Sequence, residues 1–255
     1  MHTSLIVFAF MALAAGLVYF LVANDKGEKE PRWALWLMLV FGAIAALAAS
    51  ILELALLNTH SLKPDSPSGP LFLNSLGVGI IEESLKFLPA AIFLYKRPFF
   101  NEHTDGVIYF AIVGLGFGLP ENILYTLNFG SSVGLSRLIM TPFLHASLTG
   151  SLGYLLAKIK VEKRKLWLII PGLSGVALVH GFYDFGLSST SNALHIVSVA
   201  ITLGLTIGMF LLFMRANDRD REQGLAAVGH NSFCRSCGTP NPDHHLYCTK
   251  CGMRA

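Results

Sequence analysis

Leu71 to Tyr95 reads LFLNSLGVGIIEESLKFLPAAIFLY. The stretch is long enough to cross a bilayer, which takes about 20 mostly apolar residues. Yet Glu82 and Glu83 lie side by side near its middle, with Lys86 within one further helical turn. On insertion scales each such charge costs roughly 2.5–3.5 kcal/mol at the centre of a spanning helix. A helix carries charges there when they face a polar cavity and act in it. The stretch therefore predicts a membrane helix holding an intramembrane active site or an ion pathway. Glu82 and Glu83 precede Lys86 by four and three residues, so both carboxylates reach the amine. One carboxylate is left over, which a purely structural ion pair does not explain.

The rest of the chain agrees with a membrane setting. Of its 255 residues, 53% are hydrophobic and 14% charged, whereas a soluble domain carries about 25% charged residues. Mean hydropathy is +0.56. The expected fold class is an all-α polytopic membrane protein of about seven transmembrane helices, with a small cytoplasmic zinc-ribbon module. Segments 4–23, 33–57, 71–95, 106–128, 138–157, 166–188 and 193–214 meet the length rule approximately. The first of them lacks a basic flank and is long enough to span, so it reads as a retained helix rather than a cleaved signal.

Lysine and arginine orient the bundle. Loops after helices one, three, five and seven carry thirteen of them, against Lys63 and Arg137 on the other side. The positive-inside rule puts the basic side in the cytoplasm and the N-terminus outside; low cysteine usage and a free-standing ribbon point to a prokaryotic plasma membrane. Three regions follow: a transmembrane domain 1–214, a polar linker 215–232, and a mini-domain 233–255.

The mini-domain contains two CxxC pairs, Cys234 and Cys237, then Cys248 and Cys251. Two such pairs supply four thiolates to one tetrahedral zinc, and so short a segment folds around its metal. The zinc is structural, since four cysteines leave no open coordination position. His244 and His245 read as loop residues. The ribbon's expected partner is a cytoplasmic protein, and no nucleic acid is expected.

Three further helices carry polar groups of the same kind. Helix four contains GLGFGLPENILY, with Glu121 and Asn122 after Pro120; the proline frees a carbonyl and is expected to open the helix locally. Helix five carries His145, with Thr149 one turn on. Helix six carries His180 and Asp184 at the same spacing, so the carboxylate can orient the imidazole. Measured from the outer boundary, Glu82, Glu121, His145 and His180 lie at depths of roughly 12–18 Å. They should form one layer in the outer half of the membrane. Glu53 is expected to be solvated at the outer end of helix two, and His195 interfacial at the start of helix seven.

These residues resemble a known family. EESLK, from Glu82, matches an EExxK motif; Phe117 to Glu121 matches FxxxE; HASLT from His145 and HGFYD from His180 supply two histidine motifs. In this order, over about residues 70–190, they look like the PrsW family of intramembrane proteases, related to the CAAX-prenyl-protease and bacteriocin-processing superfamily. The resemblance implies an endopeptidase that cuts a membrane-protein substrate, such as an anti-sigma factor, near the extracytoplasmic side of the lipid bilayer. Glu82, Glu83, Glu121, His145 and His180 would be catalytic, with Lys86, Asn122 and Asp184 in support. Two mechanisms stay open. Either Glu82 or Glu83 activates water, with His145, His180 or Asn122 holding the oxyanion, or Glu83, Glu121, His145 and His180 hold a catalytic metal. The alternative class is a proton-coupled transporter or channel built on the same Glu/His relay.

Overall fold

The computed structural model describes residues 3–58, 66–222 and 233–240, with 248, 250, 251 and 253. His244, His245 and residues 223–232 of the expected linker lie outside the described residues. Among the described residues seven long helices form: α1 (Thr3–Asn24), α2 (Arg32–Leu56), α3 (Ser68–Tyr95), α4 (His103–Phe129), α5 (Ser131–Val161), α6 (Ile169–Ser188) and α7 (Asn192–Glu222). A short 3₁₀ turn, Leu166–Leu168, leads into α6. Among the described residues, α1, α2, α4, α6 with its leading turn, and α7 are long and apolar enough to cross a membrane. The other two, α3 and α5, carry much of the polar site in their sequences.

Large apolar side chains point outward from the bundle. Phe8, Trp36, Leu54 and Ile196 are each about 70% exposed, the surface a hydrocarbon solvent favours. The middle is occupied by α4, whose first sixteen residues, His103 to Gly118, are all buried. It lies against α5, α2, α7 and α1, while α3 lies against α6. Glycine permits the closest of these approaches. A Cβ on Gly114 would sit 2.4 Å from the carbonyl oxygen of His145, and one on Gly79 would sit 2.4 Å from that of Ala177. The first glycine lets α4 meet α5 at His145; the second lets α3 meet α6 one turn from His180.

Two local expectations change. α4 runs unbroken through Pro120. α5 begins at Ser131 rather than 138, because Gly130 alone makes the turn between helices, at φ 88°. No L side chain adopts that conformation cheaply. Arg137, expected in a loop, thereby becomes a helical residue facing α4.

The ends of α1, α3, α5 and α7 come together, as the charge alternation requires. Lys160 Nζ donates to the carbonyl of Arg97, and the Lys26 amide donates to Asn217. The cysteine segment packs on this end rather than hanging free. Phe233 is fully buried, its ring 5.8 Å from Phe99, which in turn meets Trp33 edge-on at 5.5 Å. Gly238, at φ 70°, lies over the same two rings. The Sγ atoms pair as Cys234 with Cys251 and Cys237 with Cys248, each at 3.6 Å, and all four lie within 4.8 Å. Thiolates around a tetrahedral zinc stand about 3.8 Å apart, so the four cysteines fit that ion.

Candidate active site

Four helices deliver their polar side chains to one point. The Lys86 ammonium, fully buried on α3, stands 2.9 Å from Glu82 Oε2, 2.9 Å from Glu83 Oε1 and 2.9 Å from His145 Nδ1. It also lies 3.9 Å from the centre of the Phe117 ring. An ammonium has three protons to give, and these three acceptors use them all. His145 Nδ1 is therefore an acceptor. Its Nε2 carries the proton and donates to Glu121 Oε2 at 2.7 Å.

The two adjacent glutamates have different surroundings. Glu83 is enclosed: Oε1 accepts from Lys86 and from His180 Nδ1 at 2.8 Å, and Oε2 from Thr149 at 3.3 Å. Glu82 has Lys86 as its hydrogen-bond donor, with His180 Nε2 farther away at 3.6 Å. Its carboxylate also forms part of the wall of a cavity of about 530 Å³. Glu121, Phe117, Asp184 and Arg137 line the same cavity. Asp184 Oδ2 is 3.5 Å from His180 Nε2. The i, i+4 spacing read in HGFYD thus puts the pair in reach of one another.

Every predicted residue of the layer is in or beside this cluster. Asn122 is engaged elsewhere: its amide nitrogen donates to the Gly118 carbonyl at 2.6 Å, and its oxygen accepts from Arg137 Nε at 2.8 Å. It has little left to offer an oxyanion. Glu53 is not simply solvated, since it lines the cavity on α2 and its Oε1 is buried. His195, at the start of α7, bonds the Ser189 carbonyl at 2.7 Å and borders the same space.

Arg137 was missed as a site residue. Its Nη2 stands 2.5 Å from Glu121 Oε1 and its guanidinium lies over the Tyr125 ring at 3.8 Å. In the sequence it looked like one of two loop cations. The missing signal was the one-residue turn at Gly130, which only backbone geometry reveals.

Glu82, Glu83, His145 and His180 each offer a ligand atom within 4.8 Å of the others. Two imidazoles with carboxylates suit zinc. Glu121 stands outside this set, because its oxygens serve Arg137 and His145. The Lys86 ammonium, however, bonds three of the four donors. The donors fit a divalent ion once Lys86 withdraws; with Lys86 in place the position is already filled by a cation.

Residues 30–215 match the family described as PrsW family intramembrane metalloprotease, and residues 233–254 match a zinc-ribbon domain. A protein named Protease PrsW from Bacillus subtilis (strain 168) is 30% identical over 190 residues, 73% of this chain and 84% of its own. The protein of that name from Oceanobacillus iheyensis is 28% identical over 217 residues, 82% of this chain and 95% of its own. That from Clostridioides difficile (strain 630) is 27% identical over 193 residues, 72% of this chain and 79% of its own. No solved structure matches.

Proposed function

Because the chain belongs to the PrsW family of intramembrane proteases, we propose that the cavity beside Glu82 is where a membrane-protein substrate is cut, with Glu82 as the base. The observation that carries this reading is the difference between the two glutamates. Glu83 is closed in by Lys86, His180 and Thr149, whereas Glu82 keeps a face on the cavity. A base has to reach the water it deprotonates, and Glu82 does.

In this mechanism Glu82 takes a proton from water as the water oxygen attacks the scissile carbonyl carbon. The negative charge moves to the carbonyl oxygen, for which Arg137, the cation lining the cavity on the Glu121 side, is the proposed partner. As the C–N bond breaks, Glu82 returns the proton to the departing amine nitrogen. Lys86 and His180 hold Glu83 in place, and Glu83 in turn fixes Lys86 against Glu82. Glu121 holds the proton on His145 Nε2, so Nδ1 stays an acceptor for Lys86. A divalent ion held by Glu82, Glu83, His145 and His180 would polarise the carbonyl as a Lewis acid.

The membrane-embedded helices and the protease relatives imply a bilayer and a membrane-protein substrate. The charge pattern adds the finer proposal: N-terminus outside, ribbon in the cytoplasm, and a cut in the outer half of the membrane. A protein of anti-sigma-factor type suits that geometry, and a cytoplasmic protein is the proposed partner of the ribbon. A proton-coupled transporter using the same relay is not favoured, since the relatives are named as proteases.

The test is cleavage of a single-span anti-sigma-type reporter by full-length protein in liposomes, with zinc counted per chain. Glu82→Gln, Glu83→Gln, Glu121→Gln and His180→Ala each abolish the product while membrane abundance holds. Normal cleavage by the Glu82→Gln/Glu83→Gln double variant would sink the assignment. One zinc per chain means the ribbon alone is loaded. Two, falling to one in His180→Ala, means the site holds an ion.

A further inference from the structure

The acids around the cavity are not equally balanced. Glu82 faces Lys86, Glu121 faces Arg137, and Asp184 faces His180. Glu53 makes no ion pair among the described residues, and its buried Oε1 has no hydrogen-bond partner. On α3, Ser75 lines the same cavity; it is fully buried and its Oγ is likewise unpartnered. Leaving a buried polar atom unmet costs about 1–3 kcal/mol. Two such atoms on one cavity wall mark a place where a donor arrives from elsewhere.

The cavity's other lining limits what that donor can be. Ala46, Ala49 and Val78 give it an apolar surface, against which a long aliphatic stem lies well while its charged head reaches a polar partner. The local charge selects the head. Glu53, Glu82, Glu121 and Asp184 all border the space. Among the described residues one arginine lines it, Arg137, and that is already held by Glu121, Asn122 and the Tyr125 ring. A substrate carboxylate would meet like charge; an amine or guanidinium would meet an acid with no counter-ion.

We propose that Glu53, with Ser75, forms a specificity subsite that receives a lysine or arginine side chain of the substrate. The inference rests on the cavity being the substrate cleft of the protease. Glu53 is then a binding residue, not part of the proton transfer.

The experiment uses full-length protein in lipid nanodiscs and a fluorescent single-span leucine–alanine peptide. One Lys is placed in turn at successive positions of its outer half, with Gln and Glu peptides as controls. Binding is read by anisotropy and cleavage by mass spectrometry. At one position the Lys peptide should bind at least tenfold tighter than the Gln peptide. That ratio should fall to near one in Glu53→Gln, persist in Glu53→Asp, and invert toward the Glu peptide in Glu53→Lys. Lys and Gln peptides bound alike at every position, or a Lys preference that survives Glu53→Gln, would overturn the subsite even if cleavage continues. Charge-selective binding without any cleavage would uphold the subsite and remove the protease reading instead.

Discussion

In the middle of the bundle, Glu82 and Glu83 share Lys86, and Glu121 lies between Arg137 and His145. At the end where the 25–31 and 96–102 turns meet, Asp25, Glu28, Glu30, Glu102 and Asp105 are all buried too, with Lys29 3.9 Å from Asp25. The first cluster is assembled from opposite charges. The second is built mostly of acids and holds together through protons: Tyr109 donates to Glu30, and burial followed by the neighbouring carboxylates pushes Glu102 up to about 10. Glu30 and Asp25 are raised as well, first by burial. Low dielectric makes an unpaired charge costly, and a carboxyl group escapes that cost either by facing a cation or by keeping its proton. The site layer takes the first route; Glu30 and Glu102, at the helix ends, take the second.

Removing the shared cation should break this contrast most severely. Lys86→Gln leaves two carboxylates facing each other without the ammonium, and losing one partner of a buried pair costs about 3–5 kcal/mol. Denaturant unfolding in mixed micelles would measure it, and a loss below about 1 kcal/mol would mean that the layer is not held by Lys86. A smaller effect belongs to the ribbon seat. Phe233→Ala removes the ring buried on Phe99, which should weaken the seat by about 3 kcal/mol and make the C-terminal segment cleavable by added protease in the zinc-loaded protein. Unchanged protection would show that the seat does not depend on this ring.

The probe that leaves the covalent structure untouched is pH. Folded, Glu102 keeps its proton up to about 10; unfolded, it loses it at the usual value of 4.5. Between these limits the folded chain holds the extra proton, so stability present below 4.5 is lost as pH rises toward 10. One proton corresponds to a slope of at most about 1.4 kcal/mol per pH unit. Glu102→Gln should flatten the decline in thermal midpoint between pH 5 and 9. An unchanged slope would place the extra proton on another group.

The sequence made the main helices legible because apolar runs of spanning length leave few alternatives, and the CxxC pairs because metal geometry demands their spacing. The layer itself was legible from depth: Glu82, Glu121, His145 and His180 meet as the count along each helix implied. Other features were not readable in this way. The separate surroundings of Glu82 and Glu83 depend on which flank of α3 meets α6. Arg137 joined the site through a one-residue turn at Gly130. Glu53 became a cavity residue because α2 leans on α4 across Gly42, where a Cβ would strike the Val113 carbonyl at 2.1 Å. Composition and spacing report what each helix buries and how deep each group lies. Which face a helix turns to which neighbour is set by close packing between helices, and only the tertiary structure decided it.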